Sequence, residues 1–460
     1  MTTNYFYNLY SKKMELLILI FVPLIIACAI SLHLSLFLIL KILIICGCAW
    51  ILAIKPYFAL RTIMAFLPIL WGFGENPIIE IGSLSINIPM LVGTVVFGRY
   101  GYLLFSIDHN ERSTNSIRLP CLIYLLFGLP TLLFSNDFIS GLGVYLRIYS
   151  PFVILFAFFH YSNSEKQILF NIENLSFAFF AVIGSYLVGL LNGDTITTFG
   201  GLERIRASYV PATTWGKFLS VMIGVLIFRD VFNDNLKSKR FILIKLIVIL
   251  VALFFTYNRT GWVGGLIIIF FSALMQRGKS KSKILLILII AGVLINYQTF
   301  LDLFLRYTNN YSQYADVDLI LSGRNSINFY NIDFFIHQAP LINKLFGIGY
   351  YNSAFISQQY YGSSAIIHND FLAVLIEQGI ISFIAYLLFI INLLILLLRD
   401  LRLNWNFTSR NIIVVTISMV IMMITTGLVG CFYGRVLNTW FLYGLLGIYL
   451  GYRNLLIRQG

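Results

Sequence analysis

The sequence predicts an all-α, polytopic membrane protein of about fourteen transmembrane helices with a large, partly helical outer loop. Three observations carry that expectation. The chain of 460 residues is 59% hydrophobic and 11% charged, with a mean hydropathy of +0.86, which leaves too little polar surface to cover a soluble globule of this size. Apolar runs long enough for roughly 30 Å of hydrocarbon recur from Met14 to Tyr452. The gaps between them alternate in Lys and Arg content, as the positive-inside bias requires. The net charge of +13 is therefore no sign of nucleic-acid binding, because the basic residues are dispersed in short gaps and not massed on one stripe.

Taken in order, the first run, 14–31, follows Lys12 and Lys13 and imitates a secretory signal. No small-residue cleavage site follows it before the next run, 33–54, so it reads as a retained helix. Runs at 57–73, 83–106, 119–134, 144–160 and 168–191 come next, and a medium gap, 192–212, separates the last of these from 213–228. Runs 241–257 and 262–276 are joined by a hairpin of about four residues, and 284–300 follows. In the long gap 301–368, Tyr, Asn, Gly and Ser replace Leu and Ile, yet Phe334, Phe335, Ile336, Leu345, Phe346 and Ile348 remain to be packed. A loop of that length with apolar content predicts a folded cap of short helices. Runs 370–398, 411–430 and 436–452 complete one integral membrane domain over 1–460, with no internal repeat visible.

If the amino terminus lies in the cytoplasm, both termini do, and most of the 32 Lys and Arg fall in the cytoplasmic gaps. The opposite set holds only Arg147, Arg204, Arg206, Lys217, Arg259, Arg306, Arg324, Lys344 and Arg435, although it contains the longest loop. Outer arginines run against the bias, so each invites a reason such as an anion at the membrane surface. Arg259 in TYNRTGW is the sharpest case, because its hairpin joins two runs whose other ends are strongly basic. Its plain structural reading is a side chain touching lipid phosphates or helix-end carbonyls. For Arg206 and Arg324 that reading is a loop salt bridge, with Glu203 or Asp333 as partners.

His368 opens the run that becomes the next helix, with Asn369 and Asp370 as capping residues. A helix amino terminus favours a neutral imidazole able to accept a proton, while Asp370 pushes the other way. Glu377 is half a turn out of phase with His368 and reads as a buried, paired carboxylate. Tyr350, Tyr351, Tyr360 and Tyr361 read equally as a stacking surface for sugar rings and as ordinary boundary aromatics. Asp316 and Asp318 imitate a metal-binding DxD without a sugar-nucleotide fold around them, and no metal site is expected. Cys28, Cys46, Cys48, Cys121 and Cys431 lack the spacing of a disulfide framework or zinc site.

These residues resemble a known family. His368–Asn369 followed by Gly379, the preceding segment from Arg324 to Tyr350 with Gly347 and Gly349, Arg259 in YNRTGW, and Arg206 followed by Gly216 look like the motifs of the bacterial O-antigen polymerase (Wzy) and O-antigen ligase (WaaL) superfamily. The resemblance covers roughly residues 200 to 395. It implies a GT-C-like architecture in a bacterial inner membrane with a periplasmic active site. The implied activity is metal-independent, inverting glycosyl transfer from an oligosaccharide on undecaprenyl pyrophosphate in lipopolysaccharide or related surface-polysaccharide synthesis, with no cofactor. A polysaccharide chain-length regulator is the implied protein partner. His368 and Arg259 are the expected catalytic residues, and Arg206, Arg324, Arg204, Arg435, Asn369, Tyr350 and Tyr351 the expected pyrophosphate- or glycan-binding ones. The large outer loop and Ser382, which departs from the ligase pattern, favour a polymerase over a ligase that transfers glycan to lipid A core. A lipid-linked sugar flippase is the reading of another class, but it calls for ionisable residues near the bilayer midplane, where Lys41 is the only obvious deep charge.

Overall fold

The structure is a computed structural model that describes residues 56–71, 79–81, 84–86, 88–106, 112–191, 196–199, 202–205, 212–232, 236–276, 281–295, 324–361, 367–403, 405–430 and 435–459. All of them belong to one compact unit, Lys55–Gly460. The expected runs 14–31 and 33–54 lie outside the described residues, as do Arg206, Lys41, Asp316 and Asp318. At Arg204 and Arg324 only the backbone is described.

Every run expected from 57 onward is helical over most of its described residues. In chain order these are α1 (Pro56–Trp71), α2 (Ile88–Tyr100), α3 (Arg112–Gly128), α4 (Phe138–His160), α5 (Glu165–Leu191), α6 (Ala212–Phe232), α7 (Leu236–Phe255), α8 (Arg259–Met275) and α9 (Lys281–Ile295). The outer loop contributes α10 (Arg324–Asp333), a π turn (Phe334–Gln338), α11 (Leu341–Phe346) and α12 (Ser353–Tyr361), and α13 (Asp370–Arg402), α14 (Phe407–Val429) and α15 (Val436–Gln459) follow. Helix starts obey local chemistry. Asp137 accepts from the Ile139 and Ser140 amides at the start of α4, and Asn406 accepts from the Ser409 amide at the start of α14.

Among the described residues, five helical stretches are long and apolar enough to cross a membrane: Asn115–Phe134, Phe138–His160, Glu165–Leu187, Asp370–Arg402 and Phe407–Val429. The core sits on α15, which is buried from Val436 to Asn454 against α4, α5, α6 and α14. A helix apolar on every side is stable only when surrounded in this way. The end of the bundle where α15 finishes is pinned by two ion pairs. Arg229 of α6 meets Glu173 of α5 at 2.6 Å, and buried Arg453 meets buried Asp400 at 2.6 Å, where Tyr449 also donates.

Two features depart from the expected pattern. The chain is not purely helical, because β1 (Ile79–Ile81) pairs with β2 (Leu84–Ile86) and β3 (Ile196–Phe199) with β4 (Leu202–Ile205) as small antiparallel hairpins. The run expected to begin at 83 is therefore a strand until Ile86 and a helix only from Ile88. The run expected at 370–398 is broken at Gly379, whose φ of +83° is a left-handed conformation that glycine adopts without steric cost. The Ile376 and Glu377 carbonyls that the break frees accept from the Ile348 and Gly349 amides at 3.1 and 3.2 Å. A Cβ on Gly379 would collide with the Leu345 carbonyl oxygen, and one on Gly347 with that of Glu377, so the chain crosses itself where only glycines fit. The spanning arm runs from Ile380, and Asp370–Gln378 belongs to the cap, whose apolar core joins Phe335, Ala339, Ile348 and Ile356 to Ile367, Ala373 and Ile376.

Candidate functional site

Helices α6, α8, α13 and α15 begin, and α14 ends, at the same end of the bundle. Gly216 of α6 and Gly261 of α8 let the two backbones touch, a Cβ on Gly261 falling 2.7 Å from the Gly216 carbonyl carbon. The Ser220 hydroxyl spans the crossing, 2.6 Å from the Gly261 oxygen and 3.0 Å from that of Gly216. Farther along α8, a Cβ on Gly264 would lie 3.3 Å from the Thr426 methyl group of α14. At the next residue of α14, the Asp370 carboxylate at the start of α13 lies 2.9 Å from the position of a Cβ on Gly427. The last turn of α14 is thus flanked by the helix that opens with Arg259 and the one that opens just after His368.

The turn that presents Arg259 is built for sharp reversal. Tyr257 takes a φ of +45°, which costs a non-glycine residue about 1–3 kcal/mol and persists only where neighbours enforce it. Here the Asn258 side-chain amide donates to the Thr213 carbonyl of α6 at 2.5 Å, and the Asn258 backbone amide donates to the Thr256 hydroxyl at 3.3 Å. Arg259 itself is exposed at the first position of α8. His368 is half-buried and sits one residue before Asn369, whose side-chain Oδ1 accepts from the Phe371 and Leu372 amides at 3.0 and 3.1 Å and so fixes the start of α13. Arg435 is half-buried at the start of α15, its carbonyl accepting from the Asn438 and Thr439 amides.

Sequence reasoning gave Lys217 no role beyond its place in the outer charge count. The structure buries it in the second turn of α6 with its ammonium 2.9 Å from the position of a Cβ on Gly430, at the carboxyl end of α14. A cation is favoured there by the helix dipole, as the anionic Asp370 is favoured at the amino end of α13. The two charges address glycines one helical turn apart. The signal for Lys217 was present as an ionisable residue inside an apolar helix, which is costly without a purpose.

The remaining expected residues divide. Arg204 lies on β4 opposite Thr197, and Arg324 opens α10. Tyr350 is buried, its hydroxyl donating to the Gly128 carbonyl at 2.9 Å and its amide to the Ser135 hydroxyl at 3.1 Å. It ties the cap to α3 and α4, a role reinforced by Asn352 donating to the Phe134 carbonyl and Thr131 to that of Phe346. Tyr351 is exposed, with the Arg147 guanidinium 5.6 Å from its ring centre, so of the pair it is the ring a ligand can reach. Glu377 is buried and accepts from the Ser353 hydroxyl, a structural contact between α13 and α12.

The arrangement brings the helix start that carries Arg259, the one that His368 precedes and the buried Lys217 ammonium to one end of the bundle, residue types suited to holding a multiply charged oxyanion beside a proton acceptor. No curated protein matches the chain. Residues 244–387 match the family model described as O-antigen ligase, a stretch that takes in Arg259, the described cap and His368 and is consistent with the O-antigen polymerase and ligase superfamily.

Proposed function

We propose that this protein is a surface-polysaccharide polymerase that joins oligosaccharide repeats carried on a polyprenyl pyrophosphate, working at the end of the bundle where α8 and α13 begin. The observation that carries this reading is that α8, which opens with Arg259, and α13, which opens just after His368, both pack on the last turn of α14, through Gly264 and Asp370, while Arg259 and His368 both lie inside the matched segment. In the proposed step an acceptor hydroxyl oxygen attacks the anomeric carbon of the donor sugar. The bond from that carbon to the pyrophosphate breaks, and its electron pair leaves on the phosphate oxygen. The acceptor proton passes to His368, and the anomeric centre inverts. Arg259, with Arg206 or Arg324, binds the leaving group, whose growing charge a guanidinium fork meets through two parallel hydrogen bonds. Asn369 holds the helix start that positions His368, while Arg435 and Arg204 line the approach and Tyr351 offers a ring to the glycan.

The family description favours a second reading, a ligase that passes the same glycan to a lipid A core acceptor. Both use one donor and one base, so the acceptor separates them. Purified protein given lipid-linked repeats alone is expected to yield a ladder of longer lipid-linked glycans. No product until core is supplied would establish the ligase. A His368→Ala protein that still moves lipid-linked sugar across a vesicle but never joins it would show the histidine's task to be chemistry and not transport.

A further inference from the structure

The cap carries an apolar tip that the catalytic proposal does not use. On the cap, Leu341 is 74% exposed at the start of α11 and Ile336 and Ile342 are exposed as well, and against α11 lies the 3-10 turn Pro130–Phe134 that ends the apolar stretch Asn115–Phe134, with Leu129 and Leu133 exposed, the latter 78%. Short loops in water do not ordinarily present side chains of this kind together. Their level along the bundle is fixed by packing. The Phe346 ring at the end of α11 stacks on Phe127, with centroids 6.4 Å apart and planes 10° from parallel, and Phe127 lies inside the apolar stretch Asn115–Phe134. The Leu345 carbonyl abuts Gly379, immediately before Ile380 opens the spanning arm of α13. Lys344, the one charge on α11, bends back to donate to the Ile336 carbonyl at 2.7 Å.

We infer that α11 and the Pro130–Phe134 turn form a wedge that enters the bilayer and rests among its acyl chains. The occupant is lipid because the patch continues a row already facing outward from the spanning helices: Ile380, Ile384 and Leu388 follow one another down a face of α13 at helical spacing and are exposed. A handful of side chains on a six-residue helix and a single turn is small for a stable protein partner, which buries about 1,200 Å² or more in total. An interfacial segment needs less, since its apolar face sinks only about 5–10 Å into the headgroup and acyl boundary. The wedge fixes the height of the cap above the membrane, and hence the level at which the helix starts of α8 and α13 meet a lipid-borne ligand.

The test uses the full chain in phospholipid nanodiscs, with Cys28, Cys46, Cys48 and Cys431 replaced and the buried Cys121 kept. Nitroxide labels are placed at Leu341→Cys and Ile342→Cys, and at His337→Cys and Gln358→Cys as exposed cap positions. The expected result is a depth parameter shifted toward oxygen at 341 and 342 and toward a water-soluble nickel chelate at 337 and 358. A label at 341 reached by the chelate as readily as one at 337 overturns the wedge by placing it in water. A label at 341 reached by neither quencher overturns it in favour of a protein partner or a second copy. All four sites are exposed, so the substitutions leave the packed core untouched.

Discussion

At the scale of single residues, the two cations near the end of α14 differ in exposure. Arg259 is exposed at the first position of its helix, whereas Lys217 is buried with its ammonium against α14. If Arg259 grips a diphosphate through a fork, lysine is no substitute, since it offers a point charge on a flexible stem. Losing one preorganised donor to a developing oxyanion costs about 3 kcal/mol, or a factor of about 100 in rate. Arg259→Lys is therefore expected to lower the chain-joining rate of purified protein about that much with its thermal melting unchanged; near-normal polymer ladders would exclude forked recognition. The sequence exposed Arg259 because a short hairpin between apolar runs leaves it one location. It could not expose the partnership of α8 and α13 through α14, because Gly427 and Gly430 gain their meaning only once a carboxylate and an ammonium are seen beside them.

At the scale of elements, the apolar runs were legible because hydrocarbon imposes length and composition on a helix. The hairpins obey a different signal that was present and not used. Gly82–Ser83 and Gly200–Gly201 each separate two short alternating segments, a spacing that marks two-residue hairpin turns. The break at Gly379 was hidden because the apolar pattern passes straight through it, and hydropathy does not register backbone dihedrals. Only the partner strand at Ile348 and Gly349 reveals why a glycine stands there. Gly379→Ala places a Cβ against the Leu345 carbonyl at a φ of +83°, two penalties that together exceed about 2 kcal/mol. The expected outcome is an undocked cap in a still-inserted bundle, seen as rapid proteolysis between residues 338 and 363 while the transmembrane core stays resistant. Protease resistance equal to that of the parent protein would show that the crossing does not hold the cap.

At the scale of the molecule, the two ends of the bundle carry charge in different ways. At one end Arg229 and Arg453 are matched by Glu173 and Asp400, so basic residues there are anchored within the fold. At the other, Arg259 is exposed, Arg435 half-buried, and Lys217 and Asp370 are held against a helix end. The positive-inside bias predicts that the first end faces the cytoplasm, because translocating a loop rich in Lys and Arg is opposed during insertion. The catalytic proposal needs that orientation, since a lipid-linked glycan exported for assembly presents its sugars on the far side. Single cysteines at His337 in the cap and Gln459 at the end of α15 decide it, in the chain with Cys28, Cys46, Cys48 and Cys431 replaced. In intact cells a membrane-impermeant maleimide is expected to label the variant at 337 and to reach that at 459 only after lysis. The reverse pattern would turn Arg259 and His368 toward the cytoplasm and separate them from the substrate, leaving the fold intact and the proposed chemistry without a donor.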